Sequence, residues 1–241
     1  MILETMTKKE VRREMEIDRD RLDYMTSRQM DGIKNKLKQI RKRYPDGNCH
    51  LPVQTYKSPL TKNRWFLYNT ICDVEKFYGR EKAMLVTNYV VKAIFDGEPV
   101  YITYHKRSVI PDGMIIVVTS HCLRRYNERC LKMPEGTDLQ EVANKFFRSF
   151  HGIAIEKNST WKHETDKMQG VTFNMDGGII LGMEKKDDPG YFIANTFVST
   201  DLLGDNQKEL GEDLTMAGTA AYIIEKTLTE AQALREAGFD V

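Results

Sequence analysis

Residues 114–129 read Met114-Ile-Ile-Val-Val-Thr-Ser-His-Cys-Leu-Arg-Arg-Tyr-Asn-Glu-Arg129. The run Met114–Val118 is apolar without a break and rich in β-branched residues, which predicts a central strand buried on both faces. Thr119 and Ser120 follow, and either suits a helix N-cap. Beyond them the pattern turns helical, with Leu123 and Tyr126 on the packing side.

Working outward, Pro99–Tyr104 alternates like a strand and Pro111-Asp-Gly113 is a turn signal, so a hairpin precedes the junction. Downstream, Leu139, Val142, Phe146 and Phe150 predict a helix over 138–150. Strands over 170–174, 178–183 and 191–199 are separated by the turn signals Asp176-Gly177 and Asp187-Asp-Pro-Gly190. Upstream, Trp65–Tyr68 has strand composition within a loop-rich stretch, 48–71. Residues 73–95 place Val74, Phe77, Tyr78, Met84, Leu85, Val91, Ile94 and Phe95 on one broad face, predicting a helix ended by Asp96-Gly97.

At the N-terminal end, Val11, Met15, Leu22, Met25, Ile33, Leu37, Ile40 and Tyr44 form an amphipathic stripe. It predicts one long helix or two in series over 7–44, stopped by Pro45-Asp-Gly47. Residues 206–237 predict a C-terminal helix with an apolar centre, Met216–Leu228. The expected class is α+β: a mostly antiparallel sheet with flanking helices, a long charged N-terminal helical arm and a C-terminal helix. The expected division is an arm over 1–46, a core over 47–204 and a packed C-terminal helix over 205–241.

The chain has 241 residues, 41% hydrophobic and 29% charged, enough apolar content to bury a core and too much for wholesale disorder. Its longest apolar run, Met114–Val118, is too short to span a bilayer, and Met1-Ile2-Leu3 meets charge at once, so no membrane association and a cytoplasmic location are expected. Cys49, Cys72, Cys122 and Cys130 form no CxxC pair and match no common zinc spacing, which predicts free thiols, no metal and no cofactor. No phosphate-loop, HExxH or GxSxG motif is present.

The net charge of +1 conceals an asymmetry. Residues 1–132 hold 26 Lys and Arg against 16 Asp and Glu, and the remainder is correspondingly acidic. The basic half either faces phosphates or attracts the acidic half within the fold.

Chemistry concentrates after Thr119. In a helix starting there, His121, Arg125 and Arg129 fall at i, i+4 and i+8 on one face. A neutral imidazole accepts a proton near pH 7, and guanidinium groups match a phosphate bidentately. Together they are the minimum for metal-free cleavage of an RNA phosphodiester: His121 as general base, Arg125 and Arg129 stabilising charge on the phosphorane oxygens. The competing reading makes His121 a capping residue and pairs the arginines with acids. Arg124 and Tyr126 are candidate substrate contacts beside that face. His105, Lys106 and Arg107 either extend it or form a solvated turn. Trp65, Tyr68, Tyr101 and Tyr104 are core aromatics or base-stacking groups.

The pattern T-x-H-(small)-x-x-R-(large)-x-E-R over Thr119–Arg129 resembles the opening motif of small domains allied to the RelE- and BrnT-type ribonuclease toxins. The resemblance extends over about residues 114–203, through the helix at 138–150 and the strands at Gly178–Gly182 and Tyr191–Ser199. It implies a barnase/colicin/RelE-like fold, RNA as substrate, His121, Arg125 and Arg129 at the motif positions, and Thr196 and Ser199 as hydroxyl residues on the last strand. The insert Ile153–Gln169 and both terminal regions depart from that family.

Two functions are therefore expected. One is a nucleic-acid-acting protein, in its sharpest form a metal-independent endoribonuclease. The alternative is a non-catalytic binding or assembly protein of phage or bacterial origin, binding a partner or a second copy through residues 7–44.

Overall fold

A computed structural model of the chain describes residues 1–34, 49–73, 83–105, 113–150, 154–157, 165–204 and 213. The basic run Lys36–Arg43, the pair Lys106 and Arg107, the Pro111-Asp-Gly113 turn before Gly113 and the C-terminal helix predicted over 206–237 fall outside the described residues, apart from Asp213. The described part holds four α-helices and ten strands. All but one of the strand pairings recorded within the two units are antiparallel, so the class is α+β. Among the described residues, no helix is long and apolar enough to cross a membrane. The chain divides into two compact units: Met1–Tyr104 with Ala143–His151, and His105–Val142 with Gly152–Val241.

In the first unit, α1 (Lys8–Ile17) starts at a capping box. The Thr7 hydroxyl accepts from the Glu10 amide, and the Glu10 carboxylate accepts from the Thr7 amide at 2.8 Å. Helix α2 (Arg19–Lys34) follows after one residue, Asp18. Over residues 8–34 the stripe is carried by two helices in series, with Val11, Met15 and Leu22 buried, while Leu37, Ile40, Tyr44 and the Pro45-Asp-Gly47 stop lie outside the described residues. Asp18 is buried and accepts from Ser58 Oγ at 2.5 Å, Thr61 Oγ1 at 2.6 Å and Trp65 Nε1 at 2.9 Å. Three donors satisfy a carboxylate that would otherwise be costly to bury.

The sheet of this unit comprises β1 (Cys49–His50), β2 (Gln54–Lys57), β3 (Arg64–Asp73), β4 (Ala83–Phe95) and β5 (Glu98–His105), with β1 and β2 both paired to β3. The helix expected over 73–95 is corrected where the structure describes it: Asp73 ends β3, and residues 83–95 form a strand in continuous register with it, from Arg64↔Lys92 to Asp73↔Ala83, while 74–82, with Val74, Phe77 and Tyr78, lie outside the described residues. The apolar positions fit either period, and the β-branched and aromatic run Val86–Val91 decides for the strand once β3 supplies a ladder. Asp96-Gly97 is accordingly a two-residue hairpin turn, with φ of 46° and 79°, the left-handed pair a type I′ turn needs.

Helices cover both faces of this sheet. On one, Thr26 meets Tyr89 at 3.2 Å, and Asn69 Nδ2 donates to Gln29 Oε1 at 2.6 Å. On the other lies the end of α4 (Leu139–Ser149). Asn88 Nδ2 donates to the carbonyls of Phe147 and Phe150 at 3.0 and 2.8 Å, satisfying main-chain oxygens at the helix end. Tyr68 stacks on Phe147, ring centroids 5.5 Å apart. Residues 8–34 thus pack on a sheet.

In the second unit, β6 (Met114–Thr119) runs into α3 (Ser120–Tyr126), as the opening junction predicts. Strands β7 (Ile155–Lys157), β8 (Met168–Met175), β9 (Gly178–Lys185) and β10 (Tyr191–Ser199) form an antiparallel meander, and β10 pairs in parallel with β6 from Tyr191↔Ile115 to Ala194↔Val118. β7 falls in the stretch read as an insert. Gly178 and Gly182 let the backbones close: a Cβ on either would lie 2.1 Å from the Val198 carbonyl oxygen or 2.4 Å from that of Ile193.

Candidate functional site

The site is built on the end of β6. Thr119 is the N-cap of α3, its Oγ1 accepting from the Cys122 amide at 3.1 Å. The same hydroxyl donates towards the carbonyls of Ala194 and Asn195, at 3.1 and 3.3 Å. Those two residues sit at an irregularity of β10, where the register shifts between Ala194 and Thr196. A bulge turns carbonyls out of the ladder, which leaves them free to accept from a side chain.

Cys122, Leu123 and Tyr126 face inward, and the Tyr126 ring stands edge-on to Phe197 at 5.1 Å and 89°. His121, Arg124 and Arg125 point the other way: His121 and Arg124 are exposed and Arg125 is half-buried. His121 and Arg125 lie one turn apart on the outer face, as the spacing predicts. His121 makes no side-chain hydrogen bond among the described residues. Arg125 Nη1 pairs with Glu128 at 2.8 Å. Both side chains reach solvent, so the pair is worth under about 1 kcal/mol and yields readily to a stronger anion.

The third member of the expected face is placed differently. The α-helix ends at Tyr126 and continues as a π-helical turn, Asn127–Leu131, closed by Lys132 with φ 53°. The helix changes type before Arg129, so the α-helical spacing does not run unbroken to it. The Arg129 guanidinium donates through Nη1 to the carbonyl of Phe197. It ties the turn to β10, at the opposite end of the helix from the Thr119 tie.

The other candidates are dispersed. Tyr126 belongs to the core, which removes its ring from base stacking. Thr196 is half-buried on β10. Ser199 is buried and donates to Asp201, and that bond, together with the nearby Lys132 and Arg129, holds the exposed Asp201 carboxyl below the usual carboxylate range. His105 ends β5 and is half-buried. In the first unit Trp65, Tyr68 and Tyr101 are buried core residues.

Asp201 escaped the sequence reading. Its only local signal is the Ser-Thr-Asp spacing at a strand end, which is common wherever hydroxyls meet backbone turns. Burial pushes the Cys122 thiol up, so Cys122 is a packing residue, whereas Cys130 is exposed beside Gly177. Among the described residues, no three His, Cys, Asp or Glu side chains gather to hold a metal.

Compared with known proteins, the chain matches no family model, no curated protein and no solved structure.

Proposed function

We propose that the outer face of α3 acts on RNA, with His121 as general base and Arg125 as the phosphate-binding cation. The observation that carries this reading is the exposed His121, without a side-chain hydrogen bond among the described residues, one helical turn from Arg125 on a helix tied to β10 at both ends. A base held on a short, pinned helix loses little freedom on meeting substrate. The likeness of Thr119–Arg129 to the toxin-ribonuclease motif supports the same reading.

The chemistry is a transesterification. His121 takes the proton of a ribose 2′-hydroxyl, and the 2′-oxygen attacks the adjacent phosphorus. The bond from phosphorus to the 5′-oxygen breaks, the leaving oxygen takes a proton from water, and a 2′,3′-cyclic phosphate remains. Arg125 exchanges Glu128 for the phosphoryl oxygens as charge grows on them. Arg129, held by the Phe197 carbonyl, is a positioning residue in this scheme rather than a second clamp.

The test is RNA cleavage in excess EDTA, with the cyclic phosphate as the diagnostic product. His121→Ala is expected to lower the rate by about 10²- to 10⁴-fold. Arg125→Gln is expected to lower it by about 10²-fold. Wild-type protein that leaves RNA intact, or a His121→Ala variant that cuts as fast, removes the reading.

The alternative is a binding or assembly protein acting through residues 7–44. Val11, Met15 and Leu22 of the amphipathic stripe are buried in the first unit, so that part of the stripe is not offered to a second copy.

A further inference from the structure

The first unit carries a second feature that its own packing does not explain. The registers place Lys57 opposite Arg64 and Arg64 opposite Lys92, on the adjacent strands β2, β3 and β4. Directly paired residues share a face, so three cations stand in one row across the sheet. Strand spacing puts neighbours about 4.8 Å apart. Lys57 and Arg64 are exposed and Lys92 is half-buried. Among the described residues none of the three has an acidic partner. The only recorded contacts of their charged ends are with rings: Arg64 lies over Phe66 at 5.3 Å, and Lys92 over Tyr101 at 5.6 Å.

Like charges facing each other across a ladder destabilise a sheet. Protection of a sheet edge accounts for a lysine on β2, which pairs only with β3 among the described residues. It does not account for Arg64 and Lys92 on the interior strands β3 and β4. On the helices of the same unit, Arg12 pairs with Glu16 and Arg19 with Asp23. Among the described residues the row is thus a line of positive charge without an acidic partner, built at a cost to the fold.

We propose that Lys57, Arg64 and Lys92 form a docking row for the phosphodiester backbone of a single-stranded nucleic acid. Three cations on successive strands, one strand spacing apart at the backbone, offer successive contacts to a chain of singly charged phosphates. The rings beneath Arg64 and Lys92 hold their charged ends in place, which lowers the entropy lost on binding. The row lies in the first unit and does not depend on His121, which lies in the second.

The test is fluorescence anisotropy of full-length protein with labelled oligouridine of about 12 nucleotides, titrated over salt. It is carried out on wild-type protein and on a His121→Ala background, so that loss of cleavage and loss of docking are read separately. Three phosphate contacts give a slope of log affinity against log salt of about −2. The Lys57→Gln/Arg64→Gln/Lys92→Gln variant is expected to lose at least about tenfold in affinity at roughly 50 mM salt, and most of that slope. A control with the same charge change elsewhere, Lys9→Gln/Arg13→Gln/Lys145→Gln, is expected to keep both. Should the triple variant fail to fold, each single substitution is expected to lower the slope by about 0.7. Equal losses in row and control variants overturn the proposal. So does binding to polyglutamate or to phosphatidylserine vesicles without binding to the oligonucleotide.

Discussion

The Thr119 hydroxyl donates to the main-chain carbonyl of Ala194 at 3.1 Å while accepting the Cys122 amide at the same distance. One side chain therefore caps α3 and ties it to β10. Thr119→Val keeps the shape and loses both bonds, so a loss of about 1–2 kcal/mol in urea unfolding is expected. Thr119→Ser is expected to recover most of it. If His121 acts as proposed, cleavage falls in the valine variant and returns in the serine variant, because the hydroxyl sets the direction of the first helical turn.

Asp18 holds Ser58, Thr61 and Trp65 together at the break between α1 and α2. Asp18→Ala leaves three buried donors unpaired, at a cost of about 3 kcal/mol. Denaturant unfolding followed by Trp fluorescence measures this. A loss below about 1 kcal/mol means that water replaces the carboxylate, and that the node is less dry than its burial implies.

Two glycines make opposite predictions. A Cβ on Gly178 would lie 2.1 Å from the Val198 oxygen and 2.9 Å from Ser199 Cα, so β10 itself must move. Gly178→Ala is expected to lower stability by about 3 kcal/mol. A Cβ on Gly32 meets nothing within 4 Å, and Gly32 lies in α2. Gly32→Ala is expected to raise stability by about 0.5–1 kcal/mol. Thermal unfolding of both variants separates the two signs.

Burial, and then the hydrogen bond to Asp23, push the Tyr89 phenol up to about 12. The Arg19 guanidinium lies over its ring at 4.7 Å, and its hydroxyl donates to Asp23 at 2.6 Å. An unfolded tyrosine ionises near 10, so the folded state keeps this proton longer. The contribution is complete below pH about 10 and disappears as pH rises towards about 12. Tyr89→Phe is expected to flatten the fall of stability with pH over that window, measured by urea unfolding at each pH. An unchanged slope shows that the phenol ionises alike in both states.

Much of the fold was legible from local signals. The junction at 114–126 follows from an unbroken apolar run and a hydroxyl cap, both of which act within a few residues. The strands of the meander followed from turn residues, including Gly177 and Gly190, whose φ values of 80° and 87° only glycine adopts at little cost. His121 and Arg125 fell on one outer face because a single helical turn separates them. The i+8 place of Arg129 assumed one helix type through Asn127, and neither the π turn there nor the bond from Arg129 to the Phe197 carbonyl has a plain signature in residue spacing.

The sequence by itself determined the class of the fold, the strand-to-helix junction and the pairing of His121 with Arg125 along α3. These rest on periods of two and of about four residues, which neighbouring side chains enforce. Only the tertiary structure decided that residues 83–95 form a strand, that Arg129 turns to the Phe197 carbonyl, that Asp18 gathers three donors, and that Lys57, Arg64 and Lys92 stand in one row. Each of these needs a partner far along the chain. A cross-strand register or a bulged carbonyl exists only after two distant segments have met, so no local pattern of residues can encode where it will fall.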